Sequence, residues 1–447
     1  MSISSSMNAG VAGLRANATR LATISDNIAN SSTYGYRRAQ TAFHSMVVGS
    51  GIAGQGSYAA GGVRTSTIRL VDQGGSLIGT QNSTDIALSG RGFLPVTTEL
   101  GARVQDGTAP LLLATTGSFR QDASGYLRDS AGNTLMGIPA NKDGTIPAFP
   151  RDSSAALRPI RIEVNQQAFS ETSRIDFGVN LPASGTVAGA ATDPLRMSVE
   201  FFNSLGLPET IDVNLTPTVP AATVPPAPPA PPSNEWTLQL THVETGDLLG
   251  TYTLVFDDTP GQGGTLSAVT PLNLGDPAYD AAAGTLALSV GPGAQPIDFF
   301  IGRFGENGGV AQKGTSFSPA GIAQNGSGAG NLVGLMIDAT GNLDAVYDQG
   351  FRRTLYRIPI LDVSNPNGLT SVGSQTYQVS RDSGSFFLWD AGDGPVGEFV
   401  GFSLQESATD VAAELTGLIQ TQRAYSSNAK VIQTVDEMFQ ETTNIKR

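Results

Sequence analysis

Gly49, Gly51 and Gly54 stand in the stretch GSGIAG, a literal match to the glycine fingerprint that cradles a dinucleotide pyrophosphate, with Asp72 at about the distance expected of a ribose-binding acid. Such a loop must open a helix whose N-terminal amides face the phosphates, and the following GQGSYAAGGV contains no helical run. The stretch reads instead as a pliant connector, with Gly54, Gly56, Gly61 and Gly62 supplying its freedom. Asp257 and Asp258 are adjacent carboxylates, but they adjoin a strand and a Thr-Pro turn with no histidine nearby. Solvated turn carboxylates are expected there rather than an acid–base pair. Asp338 to Asp344 lacks the alternating ligands and distal Glu of a calcium loop and reads as a turn. His44 and His242 are the only histidines and cysteine is absent. Thiolate chemistry is thereby removed, and no catalytic, cofactor-binding or metal-ligating residues are expected. The expected protein is not an enzyme.

What the residues carry instead is spacing. Val411, Leu418, Tyr425, Ile432 and Phe439 recur every seven residues, with Leu415 and Ala429 on the alternate position of a coiled-coil seam. A helix from about Leu404 to Arg447 would span roughly 60 Å at the standard rise, longer than one domain of this size needs for its own core. Met7, Leu14, Leu21 and Ile28 repeat the pattern at the other terminus, with Val11 and Ala18 between them. Gly10 and Gly13 each cost about 1 kcal/mol of helix propensity, and Ser25 and Gln422 occupy places where a strong zipper has Leu or Ile. Each helix alone is therefore marginal. The alternatives are a hairpin between the two ends of one chain and, the reading favoured here, helices that become ordered when many copies pack together.

Between the seams the period changes to two. VRTSTIRLV from Val63 alternates as a strand should, and later turns are punctuated by Gly and Asp. Asp122 to Gly125 and Asp338 to Gly341 are the same Asp-x-x-Gly device, an Asx start and a residue free to take positive φ, and predict two similar hairpins in one domain. Short alternating strands follow in LRMSVEFF, WTLQLTHV, LLGTYTLVF and IDFFIGRF. Thr216 to Pro232, TPTVPAATVPPAPPAPP, cannot donate ladder hydrogen bonds and reads as an exposed polyproline loop or spacer. The basic residues that orient SH3-type ligands are absent around it.

Two distant stretches carry a family resemblance. ISDNIANSSTYG from Ile24 to Gly35, followed by Tyr36, Arg37 and Arg38, resembles the N-terminal signature of the bacterial flagellar rod and hook axial proteins. ELTGLIQTQRAYSSNAK from Glu414 to Lys430, and the closing NIKR, are similar to the C-terminal signature. SGRGF at Ser89 to Phe93, the stretch from Thr116 to Gly137, and segments after about Gly330 resemble the β domain beside the family's terminal helices; the middle of the chain does not. Asp26 stands where the family has Asn, and SATDV replaces its Ser-Asn-Val-Asp lead-in to the last helix. The matching signature residues are Asn27, Ile28, Ala29, Asn30, Gly35, Gln422, Arg423, Tyr425 and Asn428. Phe43 and Val47 resemble the Phe-x-x-x-apolar motif of early export substrates, although such a pair is also one face of a short helix.

The resemblance implies a structural subunit of the flagellar hook, a flexible tubular joint that passes torque from rod to filament. The assembly interface would be Met7, Val11, Leu14, Ala18, Leu21, Ile28, Val411, Leu415, Leu418, Tyr425, Ile432 and Phe439, with Asn27 to Gly35 positioning the turn out of the first helix. Implied partners are further copies of the chain in a helical polymer, rod and hook–filament junction proteins, a hook cap during assembly, and the flagellar type III export apparatus. The place implied is the extracellular hook, reached without a cleaved signal peptide. A distal rod subunit is the near alternative, disfavoured by the large middle segment; a surface adhesin or fibre is the distant one.

Composition agrees with this class. A length of 447 residues with 39% hydrophobic content supports several packed domains. A net charge of −13 argues against nucleic acid and anionic membrane partners. The first basic residue is Arg15, and no apolar run is long enough to insert in a bilayer. The expected architecture is multidomain: terminal helices in a coiled-coil layer at 1–32 and 404–447, connectors at 33–72 and 396–403, and two nested, mainly antiparallel β domains. The inner β domain is expected at 73–150 and 319–395, and the outer at 151–318 with its proline-rich loop at 216–232.

Overall fold

The structure, a computed structural model, describes residues 3–46, 61–104, 109–141, 144–163, 167–222 and 230–445. Gly49, Gly51, Gly54 and Val47 lie outside the described residues, as do 223–229 of the proline-rich stretch. The chain divides into two compact units. One comprises Met1–Val164, Gly334–Val346 and Arg352–Arg447; the other is Asn165–Val333 with Tyr347–Phe351.

The first unit holds both terminal helices, Ile3–Ala29 and Val411–Ile445. The last helix begins later than the apolar spacing predicts, because Leu404 belongs to the strand Ser403–Gln405, which pairs with Leu77–Gly79. Asp410 then starts the helix by accepting the amides of Ala412 (2.9 Å) and Ala413 (3.1 Å) on its Oδ1, so SATDV supplies its own cap. Its 35 residues span about 52 Å. Phe43 is on no helix. It lies in the strand Ala39–Ser45, antiparallel to Val63–Arg69 and opposite Thr65, so residues 33–72 contain a two-stranded ribbon rather than a plain connector.

The first unit's main sheet runs in the order Leu332–Ile337, Asn342–Tyr347, Arg352–Arg357, Thr134–Pro139, Leu94–Thr97, Leu112–Ala114, Thr376–Gln378, Thr370–Gly373. Both Asp-x-x-Gly hairpins feed this sheet. Asp122 Oδ1 accepts the amides of Ser124 and Tyr126, and Asp338 Oδ1 accepts that of Asn342, with Gly125 and Gly341 at φ +88° and +83°. Val71, Phe93, Leu113, Met136, Ile138, Leu361 and Tyr377 form a core beneath it.

In the second unit, a five-stranded meander (Leu195–Phe202, Pro208–Pro217, Glu235–His242, Leu248–Phe256, Leu266–Pro271) shares its core with a six-stranded sheet centred on Arg174–Leu181. Alternate residues point inward: in EWTLQLTH, Trp236, Leu238, Leu240 and His242 are buried. Arg174–Leu181 is parallel to Gln295–Phe300 and Val310–Gln312 and antiparallel to Ser318–Gln324.

The unit boundaries differ from the expected 151 and 318 for pairing reasons. Arg158–Pro159 pairs with Gly137 and Met136, and the Leu388 amide donates to the Arg151 carbonyl (2.7 Å), which keeps 151–162 in the first unit. Ser318–Gln324 is a strand of the second unit's own sheet. Thr216 and Pro217 also close the strand Pro208–Pro217, opposite Thr237 and Trp236, so the proline-rich connection begins only after them.

Candidate functional site

The two terminal helices pack antiparallel along a face of small and polar residues. A Cβ on Gly13 would stand 2.9 Å from Asn428 Nδ2, one on Gly10 3.2 Å from Ile432 Cγ1, and one on Gly417 3.5 Å from Ile24 Cδ1. The glycines that weaken the isolated helix are the places where the backbones come close. The buried residues described on the first helix are Gly10, Ala16, Asn17, Thr23, Ile24 and Asn27, of which Thr23 bonds Thr41 on the strand Ala39–Ser45, and those on the last helix are Glu414, Thr421 and Val435.

This closed face takes in only part of the heptad seam read from the sequence: Ile432 meets Gly10 within it. Val11, Leu14, Leu21, Ile28, Leu418, Ala429 and Ile432 are half-buried, while Met7, Ala18, Val411, Leu415, Tyr425 and Phe439 are exposed. Ile419, Val431 and Met438, each one residue from a heptad position, are exposed too; Ile419 continues the stripe of Val411 and Leu415, whereas Val431 Cγ1 would stand 3.8 Å from a Cβ on Gly10. One residue's step along a helix turns the side chain by about 100°, enough to move it from the seam to the neighbouring face. At the close approaches a glycine on one helix faces a larger side chain on the other, Gly10 against Ile432, Gly13 against Asn428 and Gly417 against Ile24, while Met7, Leu415, Tyr425 and Phe439 stay exposed.

At the end of the helix pair the first signature becomes a clamp. Asn27, 1% exposed, donates through Nδ2 to the Ala39 carbonyl (2.8 Å) and to Glu414 Oε1 (2.9 Å). Its Oδ1 accepts the Ala39 amide (2.8 Å) and stands 3.1 Å from the Tyr36 hydroxyl. One side chain therefore ties the first helix to the strand that returns from it and to the last helix. Tyr36 donates to Asp26 Oδ2 (2.9 Å) beneath the Arg69 guanidinium, which lies 5.1 Å from the ring centroid. Burial, reinforced by the hydrogen bond to Asp26, pushes the Tyr36 phenol up to about 12. Arg38 Nη1 lies 3.7 Å from Glu414 Oε1, and burial pushes the Arg37 guanidinium down from its ordinary value.

Gly35 completes the turn at φ +72°. Its amide donates to the Gln405 carbonyl (2.7 Å), its carbonyl accepts Thr115 Oγ1 (2.9 Å), and a Cβ there would meet Thr115 Oγ1 at 2.6 Å. Asn30 Nδ2 binds the Asp26 carbonyl (2.9 Å), closing the last helical turn. Of the second signature, Asn428 faces Gly13, while Gln422, Arg423 and Tyr425 are exposed. Nothing in the sequence marks Glu414 as a residue that becomes buried. An acid in a helix's first turn ordinarily signals nothing beyond favourable interaction with the helix dipole. Of the export-like pair, Phe43 is exposed on its strand, its ring centroid 5.9 Å from the Arg20 guanidinium carbon, and Val47 lies outside the described residues. Asp257 is a turn carboxylate accepting the Thr259 amide (2.7 Å). Among the described residues no helix is long and apolar enough to cross a membrane.

Comparison with known proteins bears on the same two ends. The family described as flagella basal body rod protein matches residues 7–37, and the one described as flagellar basal body rod FlgEFG protein C-terminal matches 402–445. Over the whole length, the chain is 32% identical to the flagellar hook protein FlgE of Brucella suis across 449 residues and 30% identical to that of Rhizobium meliloti across 452, in each case covering 100% of both chains. The crystal structure of Helicobacter pylori flagellar hook protein FlgE2 aligns with 74% of this chain and 99% of its own at a TM-score of 0.46 and 12% identity. These relatives belong to a structural family rather than a known enzyme family. With full-length identity above 30%, both terminal matches and the helix pair they fall on, the chain belongs to the flagellar hook protein FlgE family and is a structural subunit of the bacterial flagellar hook.

Proposed function

We propose that this hook subunit polymerises through the apolar stripe that the helix pair leaves uncovered. The terminal helices would form the inner, torque-bearing layer of a tube, while the β units slide against neighbouring copies as the tube bends. The observation that carries the reading is the exposure of Val411, Leu415, Ile419 and Tyr425, which at about 100° per residue fall within about 120° of one another on a helix already paired along another face. Contiguous exposed apolar surface of this kind marks an interaction site. Rod and junction proteins would meet the two ends of the polymer, a cap would cover the growing end, and subunits would arrive through the type III apparatus.

The test is Leu415→Asp combined with Tyr425→Asp, since both side chains are exposed in the single chain. Electron microscopy and sedimentation should find no tubes, while thermal unfolding of the isolated chain moves by no more than about 0.5 kcal/mol, as for ordinary surface substitutions. Tubes of normal length would refute the stripe as the interface, and loss of the folded chain would mean that these residues are already packed.

A further inference from the structure

We propose that Glu209, His242 and Glu244 in the second unit form a site for one divalent transition cation of the zinc type. Glu209 opens the strand Pro208–Pro217, and His242 ends the adjacent strand Glu235–His242, opposite Ile211. The hairpin beyond His242 folds back, with the His242 amide donating to the Asp247 carbonyl and the Gly246 amide to the His242 carbonyl, each at 2.9 Å. That turn carries Glu244 to the same sheet edge, where the Thr210 amide donates to its Oε1 (3.0 Å) and Oε2 (3.2 Å).

The imidazole is aimed and locked. His242 is 1% exposed and packs on the Phe201 ring at 5.8 Å between centroids. Its Nδ1 stands 2.8 Å from Thr245 Oγ1, which can accept a proton carried on Nδ1 and so leave Nε2, which faces the carboxylates, with its lone pair for a cation. Nε2 is 2.9 Å from Glu209 Oε2 and 3.1 Å from Glu244 Oε2. Two ionised carboxylates only accept, so this arrangement requires either a proton on Nε2 or a cation among the three atoms. Ligand atoms about 2.1 Å from an ion lie about 3.4 Å apart on tetrahedral positions and about 3.0 Å apart on octahedral ones, so the carboxylates need to open by only about half an ångström to seat tetrahedral zinc. All three ligand atoms fall within 4.8 Å of one another.

The surroundings suit an ion as well. Asn203 Nδ2 donates to Glu209 Oε1 (2.6 Å), leaving Oε2 for the cation, and the Thr210 amide and Thr245 hydroxyl hold the other two ligands, as outer-shell partners do. Among the described residues neither glutamate is paired with a Lys or Arg, so a divalent cation and a neutral imidazole would balance the two charges. The turn above the cluster has Gly291, where a Cβ would stand 3.7 Å from Glu209 Oε2 and 3.8 Å from His242 Cε1. With no side chain at that point, an ion has a way in. Bound there, it would pin the 242–248 hairpin to the neighbouring strand and add stability in proportion to its occupancy.

The experiment is a zinc titration of the full, untagged, chelator-treated chain by calorimetry, with cobalt absorption as a second readout. His44 is the only other imidazole, so H44Q controls for adventitious binding. One zinc per chain is expected in wild type and H44Q, with a raised melting temperature and a visible cobalt spectrum. E244Q, at the most exposed of the three positions, should weaken zinc at least about tenfold while remaining folded by circular dichroism. H242Q should abolish the cobalt spectrum. No saturable zinc binding in wild type, binding unchanged in folded E244Q, or an equal loss in H44Q would each overturn the site and leave a protonated histidine held by two glutamates.

Discussion

In the second unit Trp236, Tyr252, Phe177, Phe201 and Phe299 are closed off between two sheets, whereas on the last helix Leu415, Ile419, Tyr425, Met438 and Phe439 keep between 41% and 52% of their surface in solvent. The difference is not one of composition, since both regions are rich in large apolar side chains. It lies in what closes each contact. The sheets interdigitate large residues at period two and use up their apolar surface. The helix pair closes on Gly10, Gly13, Asn17, Thr421 and Asn428, which permits near contact of the backbones but buries little hydrocarbon. Burial contributes about 25 cal/mol per Å² of apolar surface, so the sheets can hold themselves together while the helices retain unspent stabilisation for a second contact. A structural subunit that must be stable before and after assembly is well served by that division.

The comparison breaks first if the second unit is not self-sufficient. Trp236→Ala should cost about 3–5 kcal/mol, the usual penalty for deleting a buried aromatic. The chain's other tryptophan, Trp389, lies in the first unit on the strand Phe386–Trp389 and reports on that unit alone. In urea, amide protection against hydrogen exchange in the second unit's strand Leu248–Phe256 should be lost at lower denaturant while the Trp389 fluorescence transition stays in place. A joint shift of both would mean that the two units unfold as one, and the contrast would lose its thermodynamic basis.

A second, smaller effect sharpens the helical side. Asn27→Ala leaves both backbone groups of Ala39 and the carboxylate of Glu414 without their partner, a loss of about 1–3 kcal/mol for buried polar groups. Hydrogen exchange at the Ala39 amide should accelerate, with exchange in the strand Glu235–His242 unchanged. Unaltered protection at Ala39 would show that the clamp contributes nothing beyond what the helix packing supplies.

Much of this arrangement was legible in the residues because it rests on local periodicity. The two terminal helices, the strand from Val63, the strands of the middle segment and the Asp-x-x-Gly hairpins all follow from spacing or turn chemistry over a few residues. The start of the last helix was not, since Leu404 fits the apolar pattern but is claimed by a strand partner at Ile78, far away in the chain. The rotation of the helix pair was hidden for a related reason. Heptad spacing identifies the apolar stripe but cannot say which face meets which partner, and Gly10 and Gly13 read as weak points until Ile432 and Asn428 are seen against them. Asn27 was legible as a signature, but its partner Glu414 is 387 residues away. Likewise His242 meets Glu209 across 33 residues, a separation that no metal-ligand spacing rule covers.

The smallest expected effect tests whether the clamp is electrostatically tuned as well as packed. Tyr36 has its phenol pushed up to about 12, by burial first and by the hydrogen bond to Asp26 second. The folded chain therefore holds this proton more tightly than the unfolded chain, whose tyrosine titrates near the ordinary value of 10.0. The resulting stability is fully present below pH about 10 and is lost as pH rises from there toward about 12. Tyr36→Phe keeps the ring under Arg69 but removes the proton, so it should be slightly less stable at neutral pH, by about 0.5–1.5 kcal/mol for one hydrogen bond. Its alkaline decline, followed through Trp389, should be shallower, and the two stability curves should approach each other above pH 10. Tyr377 in the same unit is also raised by burial, so some decline remains in the variant. Curves that stay parallel through this range would show that the Tyr36 hydroxyl is not held in its protonated form by folding, and that its contact with Asp26 is incidental to the clamp.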